Sequence, residues 1–281
     1  MSAIDRRGTL LFAPALAVFA IFFLIPVGFF FVVSFWQLKF YNLVPAFSFE
    51  NYGEVYREYL HAGVFTFSIA LTIATLTTVF AFLLAYLIRF RAGRFGPALL
   101  FVVMITLFGG YLVKIYAWKT ILGTQGIVNT GLMAAGIIDE PIAWILYSPH
   151  AVVLTLVHFL LPFAVLPIYG ALRGIADDPL EAARDIGASP FRVLVDIVLP
   201  QAMPGLIAGF ALAFLISAGD YVTPRLVGGT STFMVGNFIE SQFVNRLNAP
   251  VGSALSFSVL AACLVTLAVA TLLARRLLRS R

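Results

Sequence analysis

Six stretches of this chain carry no Asp, Glu, Lys or Arg, and each is at least 19 residues long. They are Gly8–Leu38, Tyr59–Ile88, Phe95–Val113, Pro141–Leu172, Ile197–Gly219 and Leu247–Ala274. A helix needs about 20 apolar residues to cross the hydrocarbon core of a bilayer. Inside that core every backbone polar group must be satisfied within the segment, which leaves helices as the natural spanning form for stretches of this length. The remaining sequence is too poor in charge to clothe a soluble domain. Of the 281 residues, 61% are hydrophobic and 11% charged, whereas soluble domains carry about 25% charged residues. The expectation is an all-α integral membrane protein with six spans, at about 9–37, 62–88, 96–119, 146–172, 200–219 and 250–274. No low-complexity linker divides residues 1–281, so they read as a single domain. A seventh charge-free stretch, Thr120–Ile138, holds Gly123, Thr124, Gln125, Gly126, Asn129, Thr130 and Gly131. Those residues suit a loop outside the cytoplasm with a short interfacial helix better than a lipid-facing span.

Charge gives the orientation, because Lys and Arg accumulate on the cytoplasmic side of short loops. With the N-terminus inside, the inner segments hold 12 of the 18 basic residues: Arg6, Arg7, Arg89, Arg91, Arg94, Arg173, Arg184, Arg192, Arg275, Arg276, Arg279 and Arg281. The outer segments hold Lys39, Arg57, Lys114, Lys119, Arg225 and Arg246. Acidic residues divide as six inside (Asp5, Asp177, Asp178, Glu181, Asp185 and Asp196) and seven outside. Six spans with both termini cytoplasmic is the consistent solution, and a seven-span count would strand the arginines of 275–281 outside. The first apolar run is too long for a signal peptide and lacks a small-residue cleavage site. Pro14 and Pro26 should kink it. Trp36, Phe40 and Tyr41 suit the outer interface, and Lys114 and Lys119 should snorkel toward it.

Polar residues at membrane depth are few. His158 shares the fourth span with Pro162 and Pro167, which should break or bend that helix. A ring of this polarity faces the bundle interior, either bonded to a neighbouring helix or lining a path. Gly205 and Gly209 stand four apart in the fifth span and permit close helix packing. Asp220 ends that span and opposes the helix dipole, so it lies past the end in a turn or faces a polar path. Beside Tyr221 it would supply a carboxylate and an aromatic face, which together attract an organic ammonium. The three histidines make no metal-ligand spacing, and the single Cys263 lies in an apolar run, so no disulfide framework exists.

One polar island stands between the fourth and fifth spans, Asp177 through Pro200. Asp178 followed by Pro179, with Glu181 three residues after the cap, reads as a helix start. Gly187 suits the left-handed residue that ends such a helix. Ser189-Pro190 repeats the cap-then-proline signal, and Pro200 should stop the second helix. Glu181-Ala182-Ala183, Gly187, Ile197 and Leu199-Pro200 together resemble, without departure, the Glu-Ala-Ala loop of permease subunits of binding-protein-dependent ABC importers. Leu161-Pro162-Phe163, Leu166-Pro167, Gly219 through Pro224 and Leu226-Val227-Gly228-Gly229 are similar to the spermidine/putrescine permease group, which also includes opine and aminoethylphosphonate-like systems.

The resemblance implies a MetI-like type I importer permease fold in which loop 177–199 forms the coupling helices that sit in a groove of a separate ATPase. It implies that Glu181, Ala182, Ala183, Gly187, Ile197, Leu199 and Pro200 form the coupling element, with Asp220, Tyr221 and His158 as candidates for the solute path. The implied partners are a second, homologous permease, two ATPase subunits that bind ATP and Mg, and an extracytoplasmic solute-binding protein. The chain itself is then a pore subunit of the bacterial inner membrane and not an enzyme. A phosphate-binding loop needs Gly-Lys-Ser/Thr. Of three lysines only Lys119 precedes such a residue, and Trp118 stands before it. A self-sufficient secondary transporter would call for inverted repeats or an ionisable midplane site, and the six charge-free stretches offer neither.

Overall fold

The computed structural model describes residues 6–279. Asp5 and Arg281, counted above toward the cytoplasmic side, lie outside the described residues. The described chain is helical nearly throughout. In order it forms α1 (Arg6–Phe19), α2 (Ile25–Val33), a hairpin of β1 (Gln37–Lys39) and β2 (Asn42–Val44), α3 (Glu50–Tyr86), α4 (Gly96–Ile105), α5 (Tyr111–Leu122), α6 (Ile127–Ala134), α7 (Pro149–Arg173), α8 (Asp178–Asp185), α9 (Pro190–Val193), α10 (Leu199–Ala218), α11 (Val235–Glu240) and α12 (Ala249–Arg279). Five continuous helices are long and apolar enough to cross a membrane: Phe12–Val33, Glu50–Arg91, Pro149–Arg173, Pro190–Ala218 and Ala249–Ala274.

The remaining expected span, 96–119, is not one helix. Segments Gly93–Phe108 and Tyr111–Ala134 meet at a 97° bend. Gly109 and Gly110 at the corner adopt extended backbone, and two adjacent glycines remove about 1 kcal/mol each of helix propensity relative to alanine. The short helix expected between Thr120 and Ile138 is α6.

Prolines interrupt fewer helices than their number suggests. The ring of a proline crowds the carbonyl four residues back and removes one donor. Ahead of both Pro26 and Pro200 the chain inserts a wider π turn, Ala20–Leu24 and Leu194–Val198, closed by bonds from Ile25 N–H to Ala20 O and from Leu199 N–H to Leu194 O. The crowded carbonyls, of Phe22 and Asp196, fall inside these turns. Pro200 therefore does not stop the second helix of the polar island, which runs on from Pro190 to Ala218. Pro162 and Pro167 likewise do not break α7, the most deeply packed of the five continuous spans.

By contact the chain divides into two compact units, residues 1–61 with 238–261, and 62–237 with 262–281. The first unit holds α1, α2 and the hairpin, whose two-residue tip, Phe40 and Tyr41, has positive φ at both positions, as a type I′ turn requires. Asn51 donates to the carbonyls of Ser34 and Trp36 at 2.8 Å each, and Gln242 donates to the Tyr59 hydroxyl at 2.7 Å. The second unit is built on α7 packed against α10. Their approach is set by Gly205, where a Cβ would lie 2.6 Å from the Pro167 carbonyl oxygen, and by Gly209, where it would lie 3.2 Å from that of Ala164. Around this contact Ala81, Ala85, Ala164, Ile168, Leu172 and Ala202 form a fully buried core.

Candidate functional site

Two constellations in the second unit hold the residues that the sequence singles out. The first is the loop from Asp177 to Pro200. Its two short helices present different faces to the bundle and to the outside. Leu180 and Val193 are buried and join the core of Ile175, Val198 and Ala202, with Ala183 and Ile197 packed against it. Glu181, Ala182 and Gly187 stand on the exposed side, and Leu199 and Pro200 are half-buried. Beyond them Ile186 is 87% and Phe191 73% exposed.

The local geometry follows the sequence in part. Gly187 takes φ +83 with nothing near its Cα hydrogens, so the turn needs its backbone freedom rather than its small size. Ser189 Oγ accepts from the Arg192 N–H at 3.3 Å and caps α9. The first cap differs from expectation. Asp178 lies inside α8, Asp177 takes the N-cap position, and neither carboxylate accepts from the first turn of that helix. Asp177 Oδ1 instead accepts from Arg89 Nη2 at 2.8 Å, and the same guanidinium nitrogen donates to the Ile175 carbonyl at 3.3 Å. A charge-assisted bond to a guanidinium is stronger than one to a neutral amide, which is why the carboxylate turns aside.

The second constellation surrounds Asp220, which lies just past the end of α10 and is 7% exposed. Its Oδ1 accepts from the Tyr111 hydroxyl at 2.7 Å, the Val222 N–H at 2.9 Å and the Thr223 N–H at 3.4 Å. The Tyr111 hydroxyl also lies 2.8 Å from Thr223 Oγ1. Asp220 thus sits in a turn and caps the segment that follows, where an anion complements a helix start. Its second oxygen, Oδ2, is buried without a protein partner among the described residues.

Tyr111 is the first residue after the Gly109–Gly110 corner, so the bend aims α5 at the end of α10. One turn on, Lys114 does not snorkel. Its Nζ is buried without a hydrogen-bond partner among the described residues and lies 5.2 Å from the Phe159 ring centroid. Trp118 Nε1 donates to His158 Nδ1 at 3.1 Å, so His158 is bonded to a neighbouring helix as one of its expected readings has it, but it is exposed rather than turned into the bundle interior. The aromatic partner of the carboxylate is therefore Tyr111, not Tyr221. The Tyr221 side chain is exposed, while its carbonyl accepts from Asn237 Nδ2 at 2.7 Å. Sequence reasoning missed Tyr111 and Thr223. The signal available was the glycine pair, which turns the helix at that point.

The model of the family described as binding-protein-dependent transport system inner membrane component matches residues 90–279. The spermidine/putrescine transport system permease protein PotB of Haemophilus influenzae is 38% identical over 211 residues, covering 74% of this chain and 72% of that protein. The permease protein PotC of the same kind of system in Escherichia coli is 34% identical over 172 residues, 61% of this chain and 56% of that protein. A bacterial alginate ABC transporter, solved in complex with an alginate pentasaccharide-bound periplasmic protein, has a chain that superposes with a TM-score of 0.72 at 18% identity. The superposition covers 97% of this chain and 96% of that one. At that identity the likeness is one of fold.

Proposed function

The chain belongs to the family of binding-protein-dependent transport system inner membrane components, and on that premise we propose that it forms half of the pore of an ATP-driven importer. The observation that carries the reading is the loop 177–200. Leu180 and Val193 root it in the bundle core, while Ile186, Phe191, Ala182 and Glu181 are turned outward as a surface for another protein. In this reading the loop is cytoplasmic, both termini are inside, and the surface docks on one of two ATPase subunits, which bind ATP and Mg. A second, homologous permease completes the pore, and an extracytoplasmic binding protein delivers the solute. Nucleotide-driven closure of the ATPases pulls α8 and α9. Because Leu180 and Val193 are embedded in the same core as α7 and α10, the spans tilt with them, a rigid-body rearrangement of packed helices.

The solute in this proposal is a polyamine or a related small amine. The relatives' names support it, as does a buried carboxylate oxygen of Asp220 without a protein partner among the described residues, the other oxygen being held by the Tyr111 hydroxyl; an ammonium is the natural complement of a carboxylate. The test is reconstitution of the two permeases and two ATPases in liposomes with the cognate binding protein. ATP-dependent uptake of labelled spermidine or putrescine, with hydrolysis stimulated by the loaded binding protein, is the expected result. Uptake without ATP would overturn the importer reading. A binding protein that captures only anionic solutes would overturn the amine.

A further inference from the structure

Beside the loop 177–200 lies a cleft of about 370 Å³ lined by Tyr86, Phe90, Arg91, Arg184, Pro190 and Val193. Half of its character is apolar and aromatic and half is cationic. Neither Arg91 nor Arg184 makes an ion pair among the described residues, unlike Arg89 two positions earlier. Arg184 stands one helical turn after Leu180, on the same face of α8, and Leu180 is buried in the bundle. Arg184 is exposed, and its side chain lines the cleft beside Pro190 and Val193. Arg91 ends the π turn Leu87–Arg91, three residues after Ile88, the last residue of the charge-free stretch of its span. In a membrane-spanning chain that is the depth of the lipid headgroups.

From this juxtaposition we propose that the cleft seats the phosphate head of an anionic phospholipid between the end of α3 and the coupling loop. Arg91 and Arg184 grip the phosphate from two sides, each able to offer two parallel donors, and Tyr86, Phe90, Pro190 and Val193 receive the glycerol and the first carbons of the chains. Basic pockets at the cytoplasmic ends of membrane helices are suited to such heads. A bound lipid would tie the π turn to α8 and α9, in parallel with the Arg89–Asp177 bond. The inference rests on the membrane-spanning reading and not on transport, so its readout is lipid occupancy.

The experiment uses the assembled importer in nanodiscs of phosphatidylcholine with a minor fraction of phosphatidylglycerol, followed by native mass spectrometry after mild delipidation. The wild-type complex should retain phosphatidylglycerol in preference to phosphatidylcholine. Arg91→Gln with Arg184→Gln should lower that retention by about tenfold or more, since each basic residue at an anionic surface contributes several-fold. Arg94→Gln, on the same stretch but outside the cleft, should leave it unchanged, and the paired lysine variants should restore most of it. A photoactivatable phosphatidylglycerol should label Tyr86, Phe90 or Pro190 of the wild-type complex, a measurement that needs no variant to fold. Equal retention in wild type and the double glutamine variant, equal loss in Arg94→Gln, or labelling confined to other faces would overturn the proposal. Displacement by millimolar inorganic phosphate would overturn it in favour of a soluble anion.

Discussion

Arg89 and Asp177 are joined at 2.8 Å across 88 residues of sequence. The bond ties the end of α3 to the entrance of the loop, and the same guanidinium reaches the Ile175 carbonyl and lies 4.9 Å from the Phe90 ring centroid. Asp177 is 62% exposed and Arg89 23%, so the two ends are unequally placed.

Removing the acid alone should cost little. An exposed ion pair contributes about 0–1 kcal/mol, and in Asp177→Asn the arginine keeps its carbonyl and ring contacts. Arg89→Ala removes all three together with the packing of the arginine stem. The expected order is therefore a near-normal thermal midpoint and normal stimulation of ATP hydrolysis for Asp177→Asn. Arg89→Ala should show a lowered midpoint and a several-fold weaker stimulation. Equal effects from the two substitutions would mean that the ion pair alone holds the loop.

Gly187 tests the turn between α8 and α9. A side chain meets no atom there, so any penalty is conformational. For an L-residue the left-handed region costs about 1–2 kcal/mol, with asparagine the mildest case. Gly187→Val should therefore weaken coupling in reconstituted importers more than Gly187→Ala, and Gly187→Asn least of the three. Assembly of the subunits, followed by size-exclusion chromatography, should be preserved in all three.

Much of this was legible in the sequence because charge is so scarce in it. Charge-free gaps located the five continuous spans, and the spacing Glu181-Ala182-Ala183, Gly187, Leu199-Pro200 located the loop. Three misreadings share one cause, the use of local signals where a distant partner or a wider turn decides. Asp178 and Glu181 look like a capping box, but Asp177 takes the cap position and turns to an arginine 88 residues away. Pro200 looks like a stop, but the π turn ahead of it takes up the crowded carbonyl. Tyr221 looks like the neighbour of Asp220, but the bend at Gly109–Gly110 brings Tyr111 there. The third span was located by its gap, Phe95–Val113, but not the break within it, since two glycines in an apolar run do not announce a right-angle turn.

The contact of α7 with α10 should be far less tolerant at Gly205 than at Gly209. A Cβ at Gly205 would sit 2.6 Å from the Pro167 carbonyl oxygen and 2.8 Å from the Ala171 Cβ, whereas at Gly209 its nearest contacts are at 3.2 Å. Overpacking of this kind costs about 1–3 kcal/mol. Gly205→Ala should lower the thermal midpoint of the purified complex clearly, with Gly209→Ala shifted much less. Because both backbone and side-chain atoms of α7 would have to move at Gly205, Gly205→Ala should also reduce the yield of assembled complex.

Asp220 carries two roles that a pair of substitutions can separate. Its Oδ1 holds Tyr111 and caps the segment after α10 through Val222 and Thr223, a task that the side-chain oxygen of asparagine performs equally well. Its negative charge, in contrast, matters only to something cationic placed against Oδ2. Asp220→Asn should therefore keep the complex within about 1 kcal/mol of wild type while lowering uptake of the amine at least several-fold, with ATP hydrolysis in the absence of solute unchanged. Asp220→Ala should lose both, because the cap and the Tyr111 bond go with the charge, and Tyr111→Phe should lower stability without abolishing uptake. Uptake and thermal midpoint measured on the same preparations decide the matter: full uptake in Asp220→Asn would leave the carboxylate as a helix cap and remove it from the solute path.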